Sequence, residues 1–102
     1  MSQREVVVRK STVKAVKDDK IHIFVFGGYG MNCVMAFKDT PEDVLSAVEA
    51  CLSRGKPQVR FQKAGYRVGP ESLVLFENGS TPEAIVELIK AELHGLSNYQ
   101  VV

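Results

Sequence analysis

Three features of the sequence predict a single α+β domain spanning residues 1–102. Two amphipathic stretches each open on Thr-Pro-Glu and close at a glycine: TPEDVLSAVEACLSRG from residue 40 and TPEAIVELIKAELHG from residue 81. That is the punctuation of capped helices. The stretches around them are rich in valine, isoleucine and phenylalanine and are broken by Gly, Pro or Asp, as strands and their turns are. The length of 102 residues, 45% hydrophobic and 25% charged, suits one soluble domain around one core. From residue 31 the elements run strand-helix-strand-strand-helix-strand, the ferredoxin-like or split βαβ order. A two-layer arrangement follows, with an antiparallel or mixed sheet and both helices on one face. Residues 1–26 then add one or two strands at an edge.

The elements follow in order. Residues 4–17 (REVVVRKSTVKAVK) read as one long strand or a bent pair, and KDDK at 17–20 as a polar turn. Residues 21–26 and 31–37 read as a hairpin around GGYG, glycines supplying the turn. With residues 27–30 as a four-residue loop, Phe26 faces Met31, Phe24 faces Cys33 and His22 faces Met35. One face then carries His22, Phe24, Phe26, Met31, Cys33, Met35 and Phe37. In the first helix Thr40 is the expected N-cap and Pro41 the first helical residue, with Val44, Leu45, Val48, Cys51 and Leu52 as the buried stripe. Gly55 and Pro57 end it. QVRFQ at 58–62 alternates as a strand, a loop carries Gly65, Tyr66, Gly69 and Pro70, and LVLF at 73–76 is a strand. The second helix is capped by Thr81, buries Ala84, Ile85, Leu88, Ile89 and Leu93, and stops at Gly95. YQVV at 99–102 is a last short strand. The two Thr-Pro-Glu helices are consistent with a duplication or with independent use of a favoured helix start.

Several chemistries are excluded. GGYG lacks the GxGxxG spacing and leads into a strand, and no GxxxxGK[ST] occurs, so no phosphate cradle or nucleotide cofactor is expected. The expected register puts Cys33 diagonally across from His22, roughly 7 Å away between backbones. No acidic residue falls at an obvious orienting position on that face, so a thiolate dyad is not expected. Cys33 and Cys51 read instead as buried, reduced thiols. Two cysteines and two histidines match no zinc spacing, and His94 suits the C-terminal end of a helix. The residues therefore predict no enzyme, no cofactor and no metal site. The opening MSQREVVVRK is charged where a signal peptide needs an apolar stretch, and no apolar run is long enough for a bilayer. The expected location is cytoplasmic, with no membrane partner.

Charge and surplus hydrophobicity point to partners. The formal net charge is only +1, yet the bases concentrate in the first twenty residues and after the first helix, while the acids lie on the helices. Arg9, Lys10, Lys14, Arg60, Lys63 and Arg67, with Tyr29 and Tyr66 in nearby loops, form the candidate surface for a partner or for nucleic acid. No aromatic RNP1 pattern is present, and lysines on edge strands also block unwanted pairing. The strands at 21–26, 31–37 and 73–76 are apolar on both faces, and helices cover only one. The uncovered face must meet either the N-terminal strand folded across it or another subunit, and Phe24, Phe26, Met31 and Met35 mark it as the candidate oligomer face. The expected function is a non-enzymatic protein–protein interaction module: a small regulator, an adaptor or accessory subunit, or an inhibitor from a mobile element. A homo-oligomer is the expected assembly, and nucleic-acid binding through basic strands and loops is the alternative.

Overall fold

In a computed structural model the described residues are 3–14, 16, 18–28, 30–54, 59–63 and 72–102. They form a six-stranded mixed sheet and two helices. The elements run β1 (Arg4–Lys10), β2 (Ile21–Gly28), β3 (Met31–Phe37), α1 (Glu42–Ser53), β4 (Gln62–Lys63), β5 (Ser72–Asn78), α2 (Pro82–Leu93) and β6 (Tyr99–Val101). The sheet order is β4-β5-β3-β2-β1-β6. β5 lies antiparallel between β3 and β4, so the split unit β3-α1-β4 is present. In the ferredoxin-like order β6 would sit beside β3. Here β2 occupies that edge through its hairpin with β3, β1 pairs parallel with β2, and β6 pairs parallel with β1. The N-terminal strands are therefore not added at an edge. They stand inside the sheet, between β3 and β6.

Alternation along the strands divides the apolar residues between two clusters. Val6, Val8, Ile21, Ile23, Val25, Val34, Ala36 and Leu75 bury against both helices. α1 contributes the expected stripe Val44, Leu45, Val48, Cys51 and Leu52. α2 contributes Ile85, Val86, Ile89 and Leu93, whereas Leu88 is 47% exposed and lies off the stripe. The alternate residues Phe24, Met35 and Val74 form the second cluster, against which Val13 and Val16 pack.

Val13 and Val16 correct the expected strand over 4–17. Parallel neighbours cannot be joined by a tight turn and need a crossover. The chain leaves β1 at Lys10 and returns to the start of β2, with Val13 and Val16 laid over Phe24 and Met35.

Two further corrections have local causes. Of the strand expected at 58–62, residue 58 lies outside the described residues and 59–61 are not in a strand; among the described residues Gln62 and Lys63 pair with β5. Val59 and Phe61 do turn inward to the core. However, the Val59 amide donates to Ser53 Oγ (3.0 Å) and the Phe61 amide to Glu49 Oε2 (2.7 Å), so α1 side chains satisfy their backbone in place of a ladder. Capping also differs between the helices. Thr81 Oγ1 accepts from the Ala84 amide at 3.2 Å, with Pro82 first in α2, as expected. At α1 the cap shifts by one residue to Pro41, which offers no side-chain bond. The Thr40 amide instead donates back to Phe37 O at 3.0 Å, closing the turn after β3. The expected stops at Gly55 and Pro57 lie outside the described residues.

Candidate functional site

The β2–β3 hairpin sets the geometry of the second sheet face. Phe26 pairs with Cys33, Phe24 with Met35 and Gly28 with Met31. The connection is therefore two residues long, with Gly30 at φ +79°. Relative to the expected four-residue loop the register slips by two, and a slip of two leaves every side chain on its expected face. Across β5, Phe76 pairs with Cys33 and Val74 with Met35.

Two rows result on this face. One is Val74, Met35, Phe24 and Arg9, closed over by Val13 and Val16. The next is Phe76, Cys33 and Phe26, half-buried, with Met31 beyond it 43% exposed. Of the four expected oligomer-face residues, Phe24 and Met35 are thus fully buried (0%); the crossover covers them. Phe26 and Met31 remain accessible. Cys33 is half-buried rather than buried, and neither cysteine is in a disulfide.

The expected basic surface is also rearranged. Arg9 turns into the second face, its guanidinium carbon 5.2 Å from the Phe24 ring centroid, a cation–π distance. Its Nη2 lies 3.2 Å from His22 Nδ1. A guanidinium only donates, so Nδ1 accepts, the ring proton sits on Nε2, and Nε2 donates to Asp18 Oδ1 at 2.8 Å. The His22 hydrogen bond, with help from the Lys20 amide, holds the Asp18 carboxyl below its ordinary value. His22 is 5% exposed and stacks on Phe24 at 6.0 Å between centroids. Arg9 Nε is buried with no hydrogen-bond partner among the described residues.

Lys10 pairs with Glu83 at the start of α2. Lys14, Arg60 and Lys63 are exposed. Lys63 and Lys10 lie four strand spacings apart in the sheet order, about 19 Å. The three strands between, β2, β3 and β5, carry no Lys or Arg. Among the described residues, therefore, Lys10 and Lys63 do not belong to one stripe along the strands. Tyr29, Tyr66 and Arg67 lie outside the described residues.

Two clusters escaped the sequence reading. The Asp18–His22–Arg9 chain needs the parallel β1–β2 register, which no local pattern specifies. The observed register also places Cys33, opposite Phe26, about 13 Å along the sheet from His22. The histidine's partner is a carboxylate from the crossover, not a thiol. Both His22 nitrogens are engaged, so the ring has no free lone pair for general-base work.

The second cluster lies on the helix side. Asn32 (2% exposed) donates through Nδ2 to Glu77 Oε2 at 3.2 Å and to Ser80 O. Ser80 Oγ donates to Glu77 Oε1 at 3.2 Å. This buried network ties the hairpin to the entry of α2. Among the described residues, no three His, Cys, Asp or Glu side chains converge on a metal position, and no helix is long and apolar enough to cross a membrane.

No protein-family model matches the chain, and neither the curated proteins nor the solved structures give a match.

Proposed function

We propose that the domain is a non-enzymatic module that binds a protein partner through the second face of its sheet. One observation carries the reading: the row Phe26, Cys33 and Phe76, continued by exposed Met31, is apolar and accessible while the neighbouring row is sealed by the crossover. Methionine and phenylalanine side by side give an adaptable, high-area contact. The partner is a second copy of the chain or another protein, as for a regulator, an adaptor or an inhibitor. The same reading takes the architecture as two layers, with the helices on the far side leaving this face free. Two cysteines outside any disulfide support a reducing, cytoplasmic setting.

Nucleic-acid binding is the competing function. It would rest on exposed Lys14, Arg60 and Lys63, which make no ion pair among the described residues. The turning of Arg9 inward and the pairing of Lys10 favour the protein reading.

The test is affinity capture from the native cell, with nuclease-treated and Met31→Lys samples, beside light scattering of the purified protein. The expected result is a protein partner, or a dimer mass, that survives nuclease and is lost in Met31→Lys. Capture that vanishes with nuclease, or binding indifferent to Met31→Lys, overturns the reading.

A further inference from the structure

A second site lies at the end of the sheet where β1 and β2 begin and β3 ends. A cavity of about 410 Å³ opens there, with Arg4, Lys20, His22, Phe37, Asp39 and Thr40 among its walls. Its volume falls in the range of small-ligand pockets, about 300–1,000 Å³. Among the described lining residues the charges balance, with Arg4 and Lys20 against Asp18 and Asp39. A ligand carrying one net charge would meet an uncompensated like charge there.

Existing bonds show which poles are free. Lys20 Nζ is taken by Glu5 at 3.0 Å. The Asp18 carboxylate is taken by His22 Nε2 and the Lys20 amide. Among the described residues Arg4 bonds only through Nε, which donates to Asp19 O at 3.0 Å, so its two terminal amino groups have no partner there. Asp39 is exposed and makes no hydrogen bond or ion pair among the described residues. One free guanidinium fork and one free carboxylate therefore border the same cavity.

The cavity also has a preorganised apolar side. Both nitrogens of His22 are committed, so its ring offers carbon surface. Phe37 is held edge-on against Phe24 with centroids 5.8 Å apart, and the buried Thr40 stands at the exit of β3.

We propose that this cavity binds a zwitterion of the α-amino-acid class. Arg4 takes the carboxylate through its two terminal nitrogens, the geometry that suits a guanidinium. Asp39 takes the ammonium. The ligand's apolar side chain lies against His22 and Phe37. This site is independent of the apolar row proposed above for the protein partner.

The test is a ¹H–¹⁵N NMR titration of the full chain with L-leucine and L-phenylalanine. Isovalerate and isobutylamine serve as controls that each carry one pole. The expected result is saturable shifts at the amides of His22, Phe37 and Thr40 with an amino acid, and at least about fivefold weaker binding of both controls. Arg4→Gln and Asp39→Asn should each weaken the amino acid about fivefold or more. Both side chains are exposed, so neither change removes a buried contact, and an otherwise native spectrum verifies the fold. Absence of saturable shifts at about 20 mM of either amino acid, equal binding of a one-pole control, or full affinity in both variants overturns the proposal.

Discussion

Gly27→Ala tests the buried network at the hairpin most sharply. Gly27 sits inside β2 with no positive φ, so its backbone accepts alanine and any cost is steric. The added Cβ would lie 2.7 Å from Asn32 Oδ1 and 2.8 Å from Pro82 Cγ. Neither neighbour is the loose end of a long chain. Pro82 is the first residue of α2, and the Asn32 amide is held by Glu77 and Ser80. Overpacking of this kind costs about 1–3 kcal/mol. If Asn32 swings aside it gives up two hydrogen bonds worth about 0.5–1.5 kcal/mol each. Alanine recovers roughly 0.5 kcal/mol through strand preference and the unfolded chain.

Whether Asn32 stays or swings aside, the net expectation is a destabilisation of about 0.5–2.5 kcal/mol, read as a fall in the urea midpoint at unchanged slope. Gly30→Ala is the control. Its Cβ meets nothing within 4 Å, so only the φ of +79° opposes it, at about 1 kcal/mol. In an Asn32→Ala background the Oδ1 clash disappears, and Gly27→Ala should cost at least about 1 kcal/mol less. A Gly27→Ala change within about 0.5 kcal/mol of the parent, or one equally costly with and without Asn32, would refute this account.

Two titrations follow from the geometry. Burial, together with a 2.7 Å hydrogen bond to Asp43, pushes the Tyr99 phenol up to about 12. The folded state therefore keeps a proton that the unfolded state releases near pH 10. Stability should hold up to about pH 10 and fall between about pH 10 and 12, and Tyr99→Phe should remove that fall from urea midpoints measured against pH. Burial, with Glu92 nearby, pushes the Cys51 thiol up. Alkylation followed by mass spectrometry at pH 8 should modify half-buried Cys33 well before Cys51, and equal rates in the folded protein would contradict the placement of Cys51.

The elements legible in the sequence were those whose signal is local. The α1 stripe from Val44 to Leu52 is buried as its periodicity requires, and Thr81 caps α2 by its own hydroxyl. The hairpin kept its faces through an error of register, because alternation survives a slip of two. Where partners were distant, the reading failed. Val59 and Phe61 alternate as a strand does, but their amides are met by Ser53 and Glu49 of a helix. Thr40 and Thr81 open the same tripeptide, yet only Thr81 caps, since Thr40 is drawn into the turn after β3. Leu88 follows Ile85 by three residues and is still 47% exposed, because the buried arc of α2 runs from Ile85 through Ile89 and Leu93 to Val86 and Leu88 lies outside it.

The crossover between β1 and β2 connects the two proposed sites. Its register with the sheet is set by apolar contact: Val13 and Val16 seal Phe24 and Met35. That seal ends at the row of Phe26, Cys33 and Phe76, and so defines how much apolar surface is left for a partner. The same segment delivers Asp18 to His22, and Val16, Asp18 and Lys20 to the wall of the cavity. His22 is the point where the two regions touch, since it stacks on Phe24 and borders the cavity. Arg9 and Asp18 fix that ring from both sides. A His22→Phe exchange keeps the stack but removes both hydrogen bonds, releasing the Asp18 end of the crossover while Val13 stays anchored. Hydrogen exchange should then quicken at the amides of residues 18–20 and remain unchanged at Ser11, whose amide donates to Val25 O at 3.0 Å. Unchanged exchange at residues 18–20 would mean that the valine seal, and not the histidine, holds the crossover in place.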